Sequence, residues 1–397
     1  MLQIEQPKQY RFALDHLGFR PFFLLGSLFA VISVALWAWL YRTGTPLPVG
    51  DLSAVTWHAH EMIYGYGLAV IAGFLLTAVR NWTGVQTLHG KPLLILALLW
   101  LEARIMPFIP HPDALTAMAV LDLLFSTWLC WEILKPIYRV KQWQHIGVWA
   151  KVLFLLLGQC FFYLGLFGVL EHGVQWGLYT GLYMIVSLIL LMGRRVIPFF
   201  IEKGVDEAVE LKNYLWVDRS SLLLMLLFWI FAVFVENKLP LAITALALFA
   251  IHTLRLWGWH TKGLWQKPLL WILYLAFAWL VAGFLLTALG ALGITSPLYA
   301  VHALGYGGIG LLTLGMMARV SLGHTGRDVF NPPKVLVSIF ALLLLGAVVR
   351  VLLPMLFPAH YTNLILISQL LWIAAFAPFA FIYAPMLVKP RVDGRYG

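Results

Sequence analysis

Residues 57–79 read WHAHEMIYGYGLAVIAGFLLTAV, an apolar stretch that opens with two histidines and a glutamate. A membrane span needs about 20 mainly apolar residues, and this stretch is long enough to be one. Ionisable side chains at the mouth of a span are costly and usually functional. The stretch therefore predicts a membrane protein with a site that includes His58, His60 and Glu61.

The composition of the whole chain agrees with this prediction. Of its 397 residues, 62% are hydrophobic and 11% are charged, whereas a soluble domain carries about a quarter charged residues. We therefore predict an all-α polytopic membrane protein whose residues 1–397 form a single domain. Twelve spans are placed near residues 21–41, 57–79, 92–109, 113–134, 149–170, 175–192, 220–235, 240–257, 270–290, 297–320, 335–353 and 363–386.

The placement of the basic residues predicts the orientation of the spans. The net charge of +10 is compatible with a nucleic-acid partner. The basic residues are, however, concentrated in particular loops between the predicted spans. They lie in or beside the termini and the loops after even-numbered spans, except for Arg42, Arg104, Lys238 and Arg350. This bias predicts that both termini are cytoplasmic and that membrane lipid, not nucleic acid, surrounds the protein. Residues 196–219 are the only sizeable soluble segment, and their mixed composition predicts a helix on the cytoplasmic surface.

A second stretch is similar to the first. His302 opens span 10, and the alignment that pairs His60 with His302 also pairs Tyr64 with Tyr306. Spans 2, 6 and 10 run in the same direction and each ends in arginine, so every fourth helix is a candidate repeat unit. The pattern predicts a pseudo-threefold ring of twelve helices, a layout analogous to that of haem-copper oxidase catalytic subunits.

Helix length separates the histidines into two candidate centres. His60 and His302 lie at similar depth near the outer face, whereas His324 lies roughly 33 Å from His302 at 1.5 Å per residue. The two ends of span 10 therefore cannot bind the same metal. The outer centre contains His58, His60 and His302. The inner centre contains His324 with its neighbours Arg319 and Arg327, and Arg194, Arg195 and His16 are further candidates.

Imidazole chemistry suggests what the outer centre binds. Two facing helices can hold a b-type haem between imidazole ligands, so we predict haem b between His60 and His302. His58 is two positions from His60 and faces away from it on a regular helix, where it is a candidate copper ligand. Glu61 is a candidate proton donor or support for a ligand. That these histidines only pair with polar neighbours stays an open alternative.

One buried arginine has two open interpretations. Arg104 lies within span 3, at about the depth of His58 and His60. It is placed to neutralise an anionic group such as a haem propionate, or to form an interhelical ion pair with Asp122. A c-type haem is excluded because the chain contains no Cys-x-x-Cys-His motif.

The motifs of this chain resemble those of the NnrS family of bacterial membrane proteins. The resemblance rests on residues 18–23, 57–62, 73–79, 81–84, 302–304 and 319–327. It implies a bacterial inner-membrane protein of twelve helices that binds haem and copper and takes part in coping with nitric oxide, often alongside denitrification. It also implies that the metal-binding histidines are His58, His60, His302 and His324, and that the matching arginines are Arg20, Arg104, Arg319 and Arg327.

Three functions remain open from the sequence. The first is a nitric oxide reductase-like oxidoreductase that consumes nitric oxide at a haem with electrons from an unknown donor, as a defence against nitrosative stress. The second is a non-catalytic haem protein that binds nitric oxide or transfers electrons. The third is a transporter of a metal, haem or a small solute.

Overall fold

The computed structural model describes residues 12–49 and 52–397, and its described parts are helical without any strand. The principal helices are α1 (Phe19–Thr43), α2 (Ala54–Thr83), α3 (Lys91–Ile105), α4 (Ala114–Arg139), α5 (Ile146–Leu166), α6 (Gly173–Gly204), α7 (Leu215–Phe234), α8 (Lys238–Trp259), α9 (Pro268–Ala291), α10 (Pro297–His324), α11 (Leu336–Leu356) and α12 (Tyr361–Val388). Single 3₁₀ turns occupy Met106–Phe108, Trp143–His145, Lys262–Gln266 and Pro358–His360.

Most of these helices can cross a membrane. Among the described residues, 11 helices are long and apolar enough to do so, which agrees with a polytopic membrane protein. The exception is α3, which has 15 residues and continues as a short 3₁₀ turn. Twelve crossings, the cytoplasmic termini and the pseudo-threefold ring therefore stay predictions.

Helices α2 and α10 form the centre of the bundle. The most apolar window of α2 is 89% buried and that of α10 is 72% buried, against 67% or less for every other candidate span. Both helices change to π-helical geometry, α2 at Glu61–Gly67 and α10 at Ala303–Gly310. The alignment that pairs His60 with His302 makes the first residues of the two π-helical stretches equivalent. Because π-helices are rare and frequent at functional sites, this coincidence supports the internal repeat.

The two tyrosines paired by the repeat have similar contacts. The Tyr64 hydroxyl donates a 2.6 Å hydrogen bond to the Gly177 carbonyl of α6. The Tyr306 hydroxyl donates a 2.9 Å hydrogen bond to the Ser368 carbonyl of α12 and packs against Gly346 of α11. Each tyrosine thus ties a central helix to a neighbour, and the missing glycine side chain makes room for the ring.

Both described ends of the chain lie at one end of the bundle, which we call the terminal end. The Ala13 amide donates a 2.9 Å hydrogen bond to the Val388 carbonyl at the end of α12. Helix α10 ends here at His324, whereas His58 and His302 lie near the starts of their helices at the opposite, far end. The predicted separation of His302 from His324 is therefore confirmed.

The prediction of a surface helix over residues 196–219 is wrong. Helix α6 continues to Gly204 and α7 begins at Leu215, so only a short irregular segment joins them. The continuation of α6 is stabilised because Ile197 and Ile201 are 2% and 1% exposed. Ile197 and Ile201 therefore pack into the bundle, although Phe199 between them is exposed and charged residues follow.

The contact between α5 and α6 makes a prediction about two glycines. A Cβ atom at Gly165 would lie against the backbone nitrogen of Val174 and 2.6 Å from the Gly173 carbonyl carbon, whereas one at Gly147, also on α5, would come no closer than 3.7 Å to Leu191. We expect Gly165→Ala to lower the free energy of unfolding by about 1–3 kcal/mol through overpacking. Gly147→Ala should have little effect. Equal thermal midpoints for the two purified variants would contradict the observed packing.

Candidate functional site

A cavity of about 400 Å³ lies at the far end of the bundle between α2, α6 and α10. Its size falls in the range of about 300–1,000 Å³ that small molecules and cofactors occupy in proteins. Its walls are mainly apolar and aromatic. Polar groups reach it from four helices, and they include His58 on α2, His302 on α10, Arg350 on α11 and Gln369 on α12.

His58 presents an oriented ring to this cavity. The ring stacks on the indole of Trp37, with centroids 4.6 Å apart and planes 7° apart. Its Nδ1 atom is buried and has no hydrogen-bond partner. Stacking therefore fixes the plane of the imidazole while one of its nitrogen atoms is left available.

His302 lines the same cavity but has both ring nitrogen atoms engaged. Its Nδ1 lies 2.8 Å from the Leu298 carbonyl and its Nε2 lies 2.7 Å from Nη2 of Arg350. Because a carbonyl only accepts and a guanidinium only donates, Nδ1 must carry the proton and Nε2 must accept. His302 is therefore held as a neutral imidazole by Arg350.

The polar atoms around the cavity are incompletely satisfied. Buried atoms without a partner include Nδ1 of His58, Nη1 of Arg350, and both Oε1 and Nε2 of Gln369. Leaving a buried polar atom unpaired costs about 1–3 kcal/mol, so such groups in a folded protein require an explanation. Because these atoms have almost no surface in the cavity, a bound molecule would satisfy them only after their side chains turn toward it.

Arg350 and Gln369 were not among the residues singled out from the sequence. Arg350 did carry a signal, because it is one of the few basic residues outside the predicted cytoplasmic set and it lies inside an apolar span. Intramembrane arginines are functional-site candidates by default. Gln369 carries no comparable signal, because an isolated glutamine in an apolar span is not distinctive.

His60 does not line the cavity, in contrast to the expected pairing of His60 with His302. Its ring is fully buried on another face of α2, with Nδ1 3.1 Å from Oε1 of Glu61 and Nε2 3.6 Å from Oδ2 of Asp122. As expected for residues two apart on a helix, His58 and His60 face apart. The structure brings His58, rather than His60, to the cavity that His302 lines.

His60 belongs to a group that we call the buried charge cluster, made of His60, Glu61, Arg104, Asp122 and Tyr163. Arg104 donates a 2.8 Å hydrogen bond to Glu61 and pairs also with Asp122, which accepts a 2.5 Å hydrogen bond from the Tyr163 hydroxyl. Of the two interpretations of Arg104, the ion pair with Asp122 is thus the one observed. Glu61 has both carboxylate oxygens engaged, one by His60 and the other by Arg104.

Residues of the predicted inner centre lie at the terminal end together with Arg20, whose charge acts on His16 and His324 and is opposed by that of Arg327. Arg20 donates 2.8 Å hydrogen bonds to the carbonyls of Leu387 and Lys389, where it caps the negative end of α12. Arg319 lies over the Phe200 ring at 3.9 Å. The His324 ring packs 5.5 Å from that of Phe19.

Other polar groups at this end are likewise engaged in local contacts. Arg194 pairs with Asp218 at 2.8 Å instead of approaching His324. Burial lowers the pKa of Arg327, and burial together with the Arg20 charge lowers the pKa of His16. Residues 12–49 and 52–397 contain no group of three or more His, Cys, Asp or Glu residues arranged to hold a metal.

Comparison with known proteins identifies the family. The family model described as NnrS protein matches residues 13–391, nearly the whole chain. The chain belongs to the NnrS family. The match covers α1 to α12, and with them both histidine stretches, so the resemblance found in the sequence is confirmed. NnrS membership suggests a role in the response to nitric oxide. A search of curated proteins finds no match.

Proposed function

We propose that this NnrS-family protein binds a b-type haem in the cavity between α2 and α10 and there binds or reduces nitric oxide, in the inner membrane of a bacterium. The observation that carries the proposal is a cavity of about 400 Å³ that His58 and His302 both line and whose buried polar atoms lack partners. Neutral imidazole is a common axial ligand of haem iron. The aromatic walls suit a flat macrocycle.

The hydrogen bonds favour His58 as the iron ligand. The His58 ring makes no hydrogen bond, whereas both ring nitrogen atoms of His302 are engaged by Leu298 and Arg350. With the haem held by His58, Arg350 would be a hydrogen-bond donor for a small ligand in the same cavity, and His302 would hold the Arg350 guanidinium in place. The polarity and donors of such a distal pocket decide how a haem treats its ligand.

Arg350 also takes the role first considered for Arg104. A guanidinium binds carboxylates through two parallel hydrogen bonds, and Nη1 of Arg350 has no partner inside the cavity wall. Arg104 is already engaged by Glu61 and Asp122. We therefore assign Arg350 to a haem propionate or another anionic group. Glu61 acts by holding Arg104 and His60 in place, and a proton-donor role for it requires release of that bond.

Copper is the competing occupant of the same imidazoles, since it accepts nitrogen ligands readily. The cavity offers two imidazoles and, among the described residues, no third His, Cys, Asp or Glu completes a metal-binding group. The donor set therefore fits haem better than an isolated copper ion. When bound, the haem would supply an iron that combines with nitric oxide.

The proposal is tested by the spectrum of the purified protein after reconstitution with haem. We expect bound haem whose reduced spectrum shifts when nitric oxide is added, because His302 is engaged by Leu298 and Arg350 and would leave the haem able to take up a further ligand. Nitric oxide supplied with an electron donor should disappear faster than with free haem if the protein reduces it. A low-spin six-coordinate spectrum unchanged by nitric oxide would favour the electron-transfer function, with both His58 and His302 on the iron. Failure to bind haem would overturn the proposal.

A further inference from the structure

A second and smaller cavity of about 80 Å³ lies next to the first, on its terminal side. Helices α1, α2, α6 and α10 line both. On α2 the lining passes from Tyr66 to Val70, on α10 it passes from Ile309 to Thr313, and Ile185 of α6 lines both cavities. About one helical turn therefore separates the two spaces.

The wall of the second cavity leaves no polar group for water. Its lining is formed by aliphatic residues, phenylalanine, methionine and one glycine, with Thr313 as the single polar residue. The Thr313 hydroxyl donates a 2.7 Å hydrogen bond to the Ile309 carbonyl and lies 2.6 Å from the Tyr66 hydroxyl. An internal water needs two to four polar partners, and cavities lined by Leu, Ile and Phe stay dry and take up xenon.

We propose that this second cavity is a docking site for a small uncharged gas molecule, held one layer of side chains away from the larger cavity. Its volume suits an atom or a diatomic molecule rather than a solute that carries polar groups. The absence of a free donor or acceptor in its wall selects an apolar occupant. The identification of nitric oxide as the natural occupant rests on the proposed function. The docking of an uncharged gas in this cavity does not depend on that function.

The layer between the two cavities is about one side chain thick. It consists of the Tyr66–Thr313 hydrogen bond and the Ile185 side chain. The end of that side chain lies over Gly67, where a Cβ would be only 2.8 Å from its Cδ1. The glycine in the π-helical stretch thus makes room for Ile185, and a diatomic molecule that passes between the cavities would have to displace that side chain.

The docking site is tested with xenon in crystals of the haem-free protein. We expect an anomalous difference peak between Val70, Leu188 and Leu312. Leu188→Phe should abolish the peak by filling the cavity. Leu190→Phe is the matched control, because Leu190 lies on the same helix and has the same 4% exposure as Leu188 but does not line the cavity.

The outcomes separate this inference from the proposed function. Xenon absent from the wild-type cavity overturns the docking site, as does a peak that persists in Leu188→Phe or disappears in both variants. If Leu188→Phe does not fold, Val70→Leu replaces it and enlarges a side chain in the same wall, with the same expected loss. Because the crystals contain no haem, a failure to bind haem overturns only the proposed function.

Discussion

Replacing His58 with alanine should abolish haem binding, whereas the same replacement at His60, two residues further along α2, should leave haem bound. His58 lines the cavity with His302, and His60 lies outside it. Residues that merely support a metal ligand contribute about 10–100-fold to affinity, so loss of the ligand itself should exceed that range. The measurement is haem content per folded protein, together with the reduced-minus-oxidised spectrum.

The His60→Ala variant is a stringent control for the loss of haem in His58→Ala. His60 is fully buried and contacts Glu61 and Asp122, so its loss should lower stability without removing haem from the protein that folds. His302→Ala should retain haem but change its spectrum, because Arg350 loses the imidazole that it contacts. Haem lost from His60→Ala but kept by His58→Ala would show that the cavity is not the haem site.

The sequence located the central helices well because their signals are local. The second span was expected near residues 57–79, and α2 extends over Ala54–Thr83. Hydrophobic length and glycine content require no knowledge of neighbouring helices. The same reasoning showed that His58 and His60 face apart, but which of them faces α10 depends on how α2 is rotated in the bundle. That rotation is set by packing between helices, so the sequence suggested His60 where the structure has His58.

The internal repeat predicts equivalent backbone geometry at His60 and His302, but it does not predict the surroundings of their side chains. His60 and His302 are equivalent in the alignment, and π-helical geometry begins immediately after each of them. Their surroundings differ, because His60 meets two carboxylates whereas His302 meets Arg350. An internal repeat therefore predicts the backbone conformation. The side-chain environment of each copy depends on residues from helices that the alignment does not compare.

Arginine partners illustrate the same limit. Arg104 lies in an apolar span and therefore needs an anionic partner. The sequence allows either a haem propionate or Asp122 in that role. Only the three-dimensional structure shows that Arg104 reaches Asp122 and Glu61 at once. The sequence likewise shows Arg350 as a charged residue within an apolar span, but its partner His302 lies on another helix. Charge in a membrane helix thus predicts that a partner exists without saying which residue it is.

Replacing Arg104 with methionine should cause the largest loss of stability in the protein. The change leaves the carboxylates of Glu61 and Asp122 buried without the guanidinium that both contact. Removing one member of a buried ion pair costs about 3–5 kcal/mol, because the remaining charge has lost its counterion in a medium of low polarity. We expect a much reduced yield of folded protein and a strong fall in the thermal midpoint, measured by size-exclusion chromatography and thermal unfolding in detergent.

Arg255→Met provides the matched control for that loss. Arg255 is 4% exposed like Arg104, but its partner Asp218 has a side chain 27% exposed and also pairs with Arg194. Asp218 can therefore be solvated after the change, and the destabilisation should be clearly smaller. The triple variant Glu61→Gln, Arg104→Met, Asp122→Asn should recover much of the lost stability. Removing the three charges together leaves no carboxylate buried without its counterion. Equal losses at the two arginines, or a triple variant no better than Arg104→Met, would show that charge balance in the buried charge cluster is not what stabilises α2, α3 and α4.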